Sequence, residues 1–489
     1  MIRKFLFGKK DDSKRIEETS SDDAQIDSLV REGYAAQMAG KLDQAEQCYE
    51  RILRLQPHHY DALHLLGTVA QSRGDNERAV NLLRQAVALR PDEAAFHDVL
   101  AGALEVAARH EEAISSYQAV LALDPGNAQA SNNLGCIFRE QGDIGKAREC
   151  FETALRVRPD LVEAHYNLGN ILRELGDPRR AIAHFRAALD VQPGHAKVWN
   201  DLGCALQVVG CAAEAADAFR RTVSVDPSYG IGYKNLAEVL RELGRLDEAA
   251  QIYERALHFF PQDPVISHYL GALRHANPER ASVAYVKETF DAFAQDFDET
   301  LVERLHYRAP QLMFQAIRVA LNQPSPLLKV LDLGCGSGLF GVHARTISRE
   351  LIGIDLSAEM IKKAKERGCY DRLEVCDLLV FLENEQPESF DLAAAVDVFV
   401  YLGNLSETFD RTRTALRKGG IFAFSVEADL ESDRDFRLMP TGRYCHTRRY
   451  LQELARERGF AQASFSQTVL REDKGIGVEG YICVLRKVT

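Results

Sequence analysis

The stretch KVLDLGCGSGLFGVHA, from Lys329 to Ala344, is an apolar run that breaks into glycines and then continues with a helical pattern. Starting at Gly336, it matches G-x-G-x-x-G, the pattern of dinucleotide-binding loops. Starting at Asp332, it matches D-x-G-x-G-x-G, in which an acid precedes the first glycine by two residues. The second pattern indicates a different ligand, and the segments that follow the loop distinguish the two interpretations.

Strand-like and helical segments alternate through the C-terminal third of the chain. Seven segments are predicted to be strands: KVLDLG, ELIGIDLS, RLEVCDL, FDLAAAVDV, GIFAFSVEA, ASFSQTVL and GYICVLRK. Near-continuous apolar strands that alternate with helices are typical of a mainly parallel sheet covered on both faces. The last two strands are joined by REDKGIGVE (471–479), which leaves no room for a helix. They are therefore predicted to form an antiparallel hairpin at one edge of the sheet.

This hairpin argues against a dinucleotide fold, because such a fold repeats its parallel unit on both sides of the cleft. Three acids also end the first three predicted strands: Asp332, Asp355 and Asp377. Asp355 stands where a carboxylate can accept hydrogen bonds from both hydroxyls of a ribose. Asp377, within EVCDLL, suits a carboxylate that accepts a hydrogen bond from an adenine amino group.

Together these residues resemble the class I S-adenosylmethionine-dependent methyltransferases, over roughly residues 326–489. The resemblance implies that the cofactor is S-adenosyl-L-methionine, whose amino-acid tail and ribose lie above the glycine-rich loop. It assigns nine residues to the site of this methyl donor: Asp332, Gly334, Gly336, Gly338, Asp355, Leu356, Asp377, Leu378 and Asp397. Four motifs in the order and spacing of the family favour a methyltransferase over a dehydrogenase.

The segment YVKETFDAFAQDFDETLVERLHYRAPQLMFQAI (285–317) precedes the loop. It is similar to a segment that many class I methyltransferases place over the donor as a lid. The similarity implies that Tyr285 and Phe297 help to cover the sulfonium and exclude water. Aromatic residues at helical spacing are equally typical of a helix packed on a core, so both interpretations stay open.

The acceptor side of the predicted domain offers few candidates. His446, in GRYCHTRRYLQEL, is a candidate general base, and Tyr401 lies in VFVYLGNL. A histidine at this point can also simply orient the start of a helix. A small basic cluster lies nearby and meets either an anionic acceptor or water: Arg443, Arg448 and Arg449.

The N-terminal half of the chain repeats with a period of 34 residues. Prolines mark the period at seven positions: Pro57, Pro91, Pro125, Pro159, Pro193, Pro227 and Pro261. An alanine and, four residues later, a large residue recur at the same step, as at Ala181 and Phe185. A fixed period of this length predicts a stacked helical array, because one helical pair cannot bury its apolar face alone.

These repeats resemble the tetratricopeptide repeat (TPR) family, and residues 163–193 come close to its consensus. The resemblance implies a superhelix of seven repeats and a capping helix, with a groove for a protein or peptide partner. Polar residues fall at equivalent points along that groove: Asn133, Asn167, Asp201 and Asn235. Asparagine offers both a donor and an acceptor, so this ladder is predicted to clamp an extended peptide backbone. The alternative is that these residues only face water.

Composition excludes several other classes of protein. The net charge of −12 argues against a nucleic-acid partner held by its phosphates. No apolar run approaches the ~18 residues that a membrane-spanning helix needs. The ten cysteines contain no C-x-x-C pair, which predicts reduced, buried thiols in a cytoplasmic protein and no metal site.

The sequence thus predicts a multidomain chain: an all-α TPR superhelix followed by a Rossmann-like α/β methyltransferase domain with a seven-stranded, mainly parallel sheet and a C-terminal antiparallel hairpin. The predicted parts are a disordered tail, the TPR array, connecting and lid helices, and the methyltransferase domain, at 1–25, 26–276, 277–325 and 326–489. The predicted function is methyl transfer to an unidentified acceptor, with the repeats recruiting a protein substrate or partner. Two alternatives are a methyltransferase of a small metabolite and an interaction scaffold with a degenerate methyltransferase domain.

Overall fold

The chain forms two compact units in the computed structural model, one up to Cys211 and one from Ala212 onward. The described residues are 21–295, 297–299, 307–321, 327–473 and 475–488. The first unit is helical, with these elements: α1 (Ser21–Met38), α2 (Leu42–Leu55), α3 (Tyr60–Ser72), α4 (Asn76–Leu89), α5 (Ala94–Val106), α6 (His110–Leu123), α7 (Ala128–Glu140), α8 (Ile144–Val157), α9 (Val162–Glu174), α10 (Pro178–Val191) and α11 (Ala196–Val208).

The turn inside each helical pair has a local cause. Gly142 has a φ of +79° after the end of α7, a conformation that glycine adopts without steric cost. The next residue, Asp143, caps α8 by accepting a hydrogen bond from the backbone N–H of Lys146 at 3.1 Å. The same glycine–aspartate step recurs at 176–177. In the third repeat Ala108 takes the glycine position with a φ of +56°, which is a strained conformation for alanine.

The repeated alanine and large residue pack between the helices of a pair. Ala147 and Phe151 are both fully buried in α8. A Cβ atom added to Gly135 of α7 would lie 2.7 Å from the Phe151 ring. The glycine and the aromatic ring therefore fit together and set how closely the two helices approach.

Helix α1 begins at Ser21, so the last five residues of the predicted tail (21–25) are helical. Asp23 lies in the first turn, where a negative charge interacts favourably with the helix dipole. Ile26 and Leu29 are buried and pack in the same core as Tyr49. Burial of these side chains explains why the helix starts before the predicted boundary, while residues 1–20 of the tail lie outside the described residues.

The second unit begins with four helices of the repeat series and continues into an α/β domain. Its α-helices are α12 (Ala212–Val225), α13 (Gly230–Glu242), α14 (Leu246–Phe259), α15 (Pro264–Leu273), α16 (Val283–Phe293), α17 (Phe297–Glu299), α18 (Ala309–Leu321), α19 (Leu339–Ala344), α20 (Ala358–Glu366), α21 (Leu378–Asn384), α22 (Ser406–Ala415) and α23 (Arg448–Glu457). Its strands are β1 (Leu328–Leu333), β2 (Ser348–Asp355), β3 (Arg372–Val375), β4 (Phe390–Ala395), β5 (Leu416–Ala428), β6 (Phe436–Leu438), β7 (Tyr444–His446), β8 (Phe460–Asp473) and β9 (Ile476–Lys487).

The strands form one mixed, mostly parallel sheet. The parallel order is β3-β2-β1-β4-β5, and β9 then pairs antiparallel with both β5 and β8. Leu331 and Leu333 face one core and Val330 faces another, so β1 is covered on both faces. The predicted fold class, a helical repeat array followed by an α/β domain that ends in an antiparallel hairpin, is confirmed.

Two short strands extend the seven that the sequence predicts. Strand β7 pairs in parallel with the end of β5, at Glu427 and Ala428, and β6 pairs antiparallel with β7. The described part of the sheet therefore has nine strands. Strands β6 and β7 have three residues each, which is too few to show the alternation of apolar and polar residues that indicates a strand. The sequence therefore did not predict them. Within the described residues no helix combines the length and apolar character needed to cross a membrane.

Candidate functional site

A cavity of about 290 Å³ lies at the carboxyl ends of β1 to β4. The strand order reverses between β1 and β4, the point where open parallel sheets bind ligands. Nine of the twelve residues predicted for donor, lid or base roles line it: Phe297, Asp332, Gly334, Gly336, Asp355, Leu356, Asp377, Leu378 and Asp397. Three do not line it: Tyr285, Gly338 and His446.

The glycine-rich loop connects β1 to α19 and is shaped by close packing. Gly334 has a φ of +69°, and an added Cβ would lie 2.5 Å from Cγ2 of Val398. Gly338 has a φ of +89° and precedes α19, so it shapes the loop without lining the cavity. The backbone therefore passes close to the end of β4, where a side chain at residue 334 would not fit.

Asp332 lies beneath the loop and is 1% exposed. The Tyr370 hydroxyl donates a hydrogen bond to its carboxylate at 2.6 Å. Burial raises the pKa of Asp332 to about 7, against the effect of this hydrogen bond, and the charge of Asp355 raises it further. Near neutral pH this carboxyl group is therefore close to its midpoint of ionisation.

Asp355 ends β2 and holds the glycine loop. Its carboxylate accepts hydrogen bonds from the backbone N–H groups of Gly336 and Ser357, both at 2.9 Å. Burial raises the pKa of Asp355, while the two N–H groups act in the opposite direction. The tip of β2 thus fixes the loop that follows β1.

Asp377 follows β3 and is fixed from two sides. It caps α21 by accepting a hydrogen bond from the Leu379 N–H at 2.9 Å, and its other oxygen accepts one from Arg280 at 2.5 Å. Burial would raise the pKa of Asp377, but the hydrogen bond and charge of Arg280 outweigh it and hold the pKa below its ordinary value. Asp377 is therefore ionised at neutral pH.

Asp397 follows β4 in an unusual backbone conformation, with a φ of +61°. Its Oδ2 accepts a hydrogen bond from Arg443 at 2.7 Å and lies 3.6 Å from Nη1 of Arg471. Burial would raise the pKa of Asp397, but the two guanidinium groups hold it below its ordinary value. Its buried Oδ1 has no hydrogen-bond partner within the described residues. A strained residue with an open carboxylate oxygen at a cavity is typical of a functional site.

Glu427, at the end of β5, completes this charge network. Its carboxylate lies 2.7 Å from Nε of Arg443 and also pairs with Arg471. Arg443 lies over the Tyr401 ring, at 5.7 Å from its centroid. Two acids and two arginines thus form a neutral group of charges at the part of the cavity that borders β4 and β5.

The predicted basic cluster does not form. Arg443 lines the cavity, whereas Arg448 lies over the Phe465 ring at 4.9 Å, and Arg449 pairs with Asp435 at 3.4 Å on the surface. Arg448 and Arg449 occupy successive positions of α23 and therefore point in different directions, while Arg443 lies before β7, so closeness in sequence does not bring these charges together.

His446 is not placed where a general base would act. It is fully buried in β7, and its Nε2 lies 2.9 Å from the carbonyl oxygen of Gly403. Its ring stacks on Tyr450, and burial lowers its pKa to about 4. The geometry therefore contradicts the predicted role of His446 as a base. Strand β7 turns the imidazole into the protein interior and not toward the cavity.

Of the two predicted lid residues, only Phe297 lines the cavity, together with Phe290 and Phe293. Tyr285 is 2% exposed and stacks on His268 with ring centroids 3.8 Å apart. The prediction for Tyr285 is thus corrected to core packing, because α16 turns this residue away from the aromatic face that meets the cavity.

Polar contacts hold this aromatic segment in place. Asp298 accepts hydrogen bonds from the hydroxyl of Ser337, in the glycine loop, and from Arg367. Asp291 accepts one from the hydroxyl of Ser357 at 2.6 Å. The aromatic segment is therefore tied to the loops that follow both β1 and β2.

Several cavity residues were not identified from the sequence as site residues: Arg280, Tyr307 and Arg471. Arg471 lies on β8 and Tyr307 immediately before α18, far from the glycine motif in sequence. The aromatic spacing in α16 was the available signal for Phe290 and Phe293. No local pattern distinguishes Arg280 or Arg471 from surface arginines.

The predicted groove ladder takes part in contacts between repeats of the first unit. The side-chain amide of Asn167 donates a hydrogen bond to Asn132 at 3.1 Å, and the Tyr166 hydroxyl donates one to Asp201 at 2.8 Å. Asn133 donates one to the Tyr117 hydroxyl at 3.2 Å. The fourth ladder residue, Asn235, lies on α13 of the second unit and is half-buried. At least three ladder residues therefore have a structural role beside any role in binding.

Family models match both parts of the chain. A model described as a methyltransferase domain matches residues 304–464. Models described as tetratricopeptide repeats match residues 25–92, 64–128, 132–196, 168–206 and 200–264.

Individual proteins are similar over shorter stretches. Methyltransferase-like protein 27 of Homo sapiens is 37% identical over 90 residues, 18% of this chain and 36% of that protein. The mitochondrial ubiquinone biosynthesis O-methyltransferase of Rattus norvegicus is 30% identical over 124 residues, 23% of this chain and 36% of that protein. The match thus spans little more than a third of either relative.

Among solved structures, YrrB, described as a TPR protein with an unusual peptide-binding site, superposes with a TM-score of 0.35 at 22% identity. The superposition covers 38% of this chain and 96% of that one. The family models agree with the mostly parallel sheet, whose strands carry aspartates at their carboxyl ends. They identify this chain as one that joins tetratricopeptide repeats to a C-terminal methyltransferase domain.

Proposed function

We propose that this chain is an S-adenosylmethionine-dependent methyltransferase whose repeats bind a protein substrate or partner. The observation that carries the proposal is the meeting of Asp332, Asp355 and Asp377 with one glycine-rich loop around a single cavity. These residues come from the ends of three adjacent parallel strands. The similarity to two named methyltransferases supports the same reaction class.

The residues present fit this donor. The backbone at Gly334 packs directly against Val398 and leaves no room for a side chain, so the loop keeps a close turn at the edge of the cavity. The unpartnered, buried Oδ1 of Asp397 offers an acceptor for an ammonium or hydroxyl group. No Walker lysine follows the loop, so a nucleoside triphosphate is not its expected ligand.

Two of the three acids have separate roles in the proposed site. Asp355 accepts hydrogen bonds from ribose hydroxyls, and Asp377 accepts one from the adenine amino group. The loop from Gly334 to Gly338 supports the amino-acid tail. When bound, S-adenosylmethionine supplies a methyl group on a positively charged sulfur, which is a good leaving group. The protein therefore has mainly to align and desolvate the reactants, which contributes several kcal/mol.

The aromatic lid contributes to the desolvation of the reactants. Phe290, Phe293 and Phe297 line the cavity and present apolar surface to it. Their rings exclude water from the donor side, and the contacts of Asp298 and Asp291 keep the segment over the loops. Water exclusion strengthens the electrostatic interactions inside the cavity.

Calorimetry on the full chain with S-adenosylhomocysteine tests the donor assignment. We expect saturable binding to the wild type and its loss in Asp355→Ala. The variant Asp433→Ala, on an exposed residue that does not line the cavity, is the control and should bind normally. Tight binding of NAD with no binding of S-adenosylhomocysteine would contradict the proposal.

The acceptor is identified in a second experiment. The protein is incubated with a cell extract and isotope-labelled S-adenosylmethionine, and mass spectrometry shows which molecule gains the label. Label on a protein that also co-purifies with the repeats supports recruitment of a protein substrate. Label on a small molecule by a chain lacking residues 1–211 would instead support a metabolite acceptor.

A further inference from the structure

The segment Asn277–Ala281, here called the clamp segment, connects α15 to α16 and is bound along its length to the α/β domain. Asn277 donates a side-chain hydrogen bond to the Phe436 carbonyl at 3.2 Å and accepts one from the Leu438 N–H at 2.8 Å. The Tyr444 hydroxyl donates a hydrogen bond to the carbonyl of Pro278 at 2.9 Å. The first half of the clamp segment is therefore fixed against β6 and β7.

The second half is fixed by backbone contacts. The Glu279 carbonyl accepts hydrogen bonds from the N–H groups of Gly403 and Asn404, at 2.8 and 2.9 Å. The Ala281 N–H donates to the carbonyl of Tyr401 at 2.9 Å. Residue 280 thus lies between two anchored neighbours, so the starting point of its side chain is set before any ligand binds.

The side chain of Arg280 reaches the donor part of the cavity. It lines the cavity, and its guanidinium donates a hydrogen bond to Asp377 at 2.5 Å. Within the described residues this is the only hydrogen bond of the guanidinium. Arg280 and Asp377 are separated by 97 positions in sequence. They meet because the contacts of the clamp segment hold residue 280 beside the end of β3.

The position of this pair differs from that of an ordinary surface ion pair. The Asp377 side chain is 13% exposed and the Arg280 side chain 33%. The Leu379 N–H holds Oδ1 of Asp377 while Arg280 holds Oδ2, so the carboxylate cannot rotate. A carboxylate has about four lone-pair sites, so this group keeps acceptor capacity for a ligand. An anchored, ionised carboxylate is suited to select a hydrogen-bond donor such as an exocyclic amino group.

We propose that Arg280 is a positioning residue that orients Asp377 for the adenine amino group and so sets the preference of the site for an adenine base. This inference rests on the proposed function, because it takes the adenosyl group as the ligand. It makes the clamp segment, which directly follows the last repeat helix, a part of the donor site. The predicted connecting part at 277–325 thus contributes a residue of the donor site, beside the predicted lid.

The test compares two ligands that differ at one group of the base. Calorimetry measures the affinity of the full chain for S-adenosylhomocysteine and for S-inosylhomocysteine, which has a carbonyl in place of the amino group. The variants are Arg280→Ala and Arg280→Gln, and the second keeps a hydrogen-bond donor without the charge. The control is Arg274→Ala, which removes a nearby arginine that pairs with Glu254 and does not line the cavity.

We expect Arg280→Ala to weaken S-adenosylhomocysteine binding about tenfold or more and to weaken S-inosylhomocysteine binding much less. Arg280→Gln should fall between the alanine variant and the wild type. An equal loss for both ligands would overturn the inference, because a purely structural role does not change selectivity. Unchanged binding in a folded variant would overturn it too. If the wild type itself binds neither ligand, the proposed function fails and not only the role of Arg280.

Discussion

The hydroxyl of Tyr370 donates a hydrogen bond to the buried carboxylate of Asp332 at 2.6 Å, beneath the glycine-rich loop. A Cβ added to Gly341 or Gly353 would lie within 2.7 Å of the Tyr370 ring. Two glycines thus make room for the tyrosine that contacts this acid. Because the Asp332 carboxyl group is almost completely shielded from water, its ionised form is destabilised.

Asp332→Asn should stabilise the protein at alkaline pH. The pKa of Asp332 is raised to about 7 in the folded state, above its unfolded value of 3.8. Folding therefore takes up a proton between these values, and wild-type stability falls as pH rises through this window. The neutral amide can still accept the Tyr370 hydrogen bond. We expect a gain on the order of 2–4 kcal/mol at pH 8.5 that shrinks near pH 4.5 in urea unfolding. A pH-independent difference would contradict this account.

Gly334→Ala should weaken donor binding, whereas a matched glycine substitution should not. The new Cβ would lie 2.5 Å from Val398, in addition to the strain of a φ of +69°. Gly368→Ala is the control, since its φ is +66° but nothing lies within 4 Å of its Cβ position. We expect the affinity for S-adenosylhomocysteine to fall about tenfold or more in the first variant only. Equal losses in both would show that backbone strain, and not the close approach, determines the effect.

Asp298→Ala should loosen the lid. This residue joins α17 to Ser337 and to Arg367, so its removal frees the segment that carries Phe297. We expect S-adenosylhomocysteine to dissociate about tenfold faster in stopped-flow measurements, with little change in thermal stability. Asp190→Ala, on an exposed residue of α10, should leave the rate unchanged. An unaltered dissociation rate in Asp298→Ala would mean that these contacts do not govern access to the cavity.

Gly169→Ala should destabilise the repeat array. Its Cβ would lie 2.6 Å from the ring of Phe185, which is fully buried, so the neighbouring core has to shift to admit it. We expect a loss on the order of 1–3 kcal/mol in urea unfolding. Gly194→Ala provides the comparison, because nothing lies within 4 Å of its Cβ position, and it should be neutral. Similar stability of the two variants would argue against tight glycine–aromatic packing in the repeats.

His446→Gln should change stability but not the pH dependence of methyl transfer. Burial lowers the pKa of His446 to about 4 from 6.5, so the unfolded chain binds more protons below pH 6.5. Wild-type stability therefore falls as pH drops through this range, and the variant should lack that contribution. Loss of the imidazole that stacks on Tyr450 should cost about 1 kcal/mol near pH 7. A shift in the pH profile of transfer would restore His446 as a candidate base.

Much of the site was predictable because its signals are local. Asp332, Asp355 and Asp377 lie at or just beyond the carboxyl ends of their strands, and parallel strands of one sheet present such ends at a common edge. The glycines at 334, 336 and 338 were identified from the D-x-G-x-G-x-G motif, which is also a local signal, and all three have positive φ angles. The segment predicted to be a lid does reach the cavity, but its spacing did not distinguish Phe297, at the cavity, from Tyr285, in the core.

The sequence by itself determined the helical repeat array, the α/β domain and the strand ends around the glycine loop. Periodicity and the alternation of strands and helices depend on residues that are close together in the sequence. Only the tertiary structure decided that Arg280 meets Asp377, that Arg471 and Glu427 complete the network of Asp397, and that His446 turns inward. These contacts join segments far apart in the chain, and packing of whole elements sets their distances. No local pattern encodes that packing.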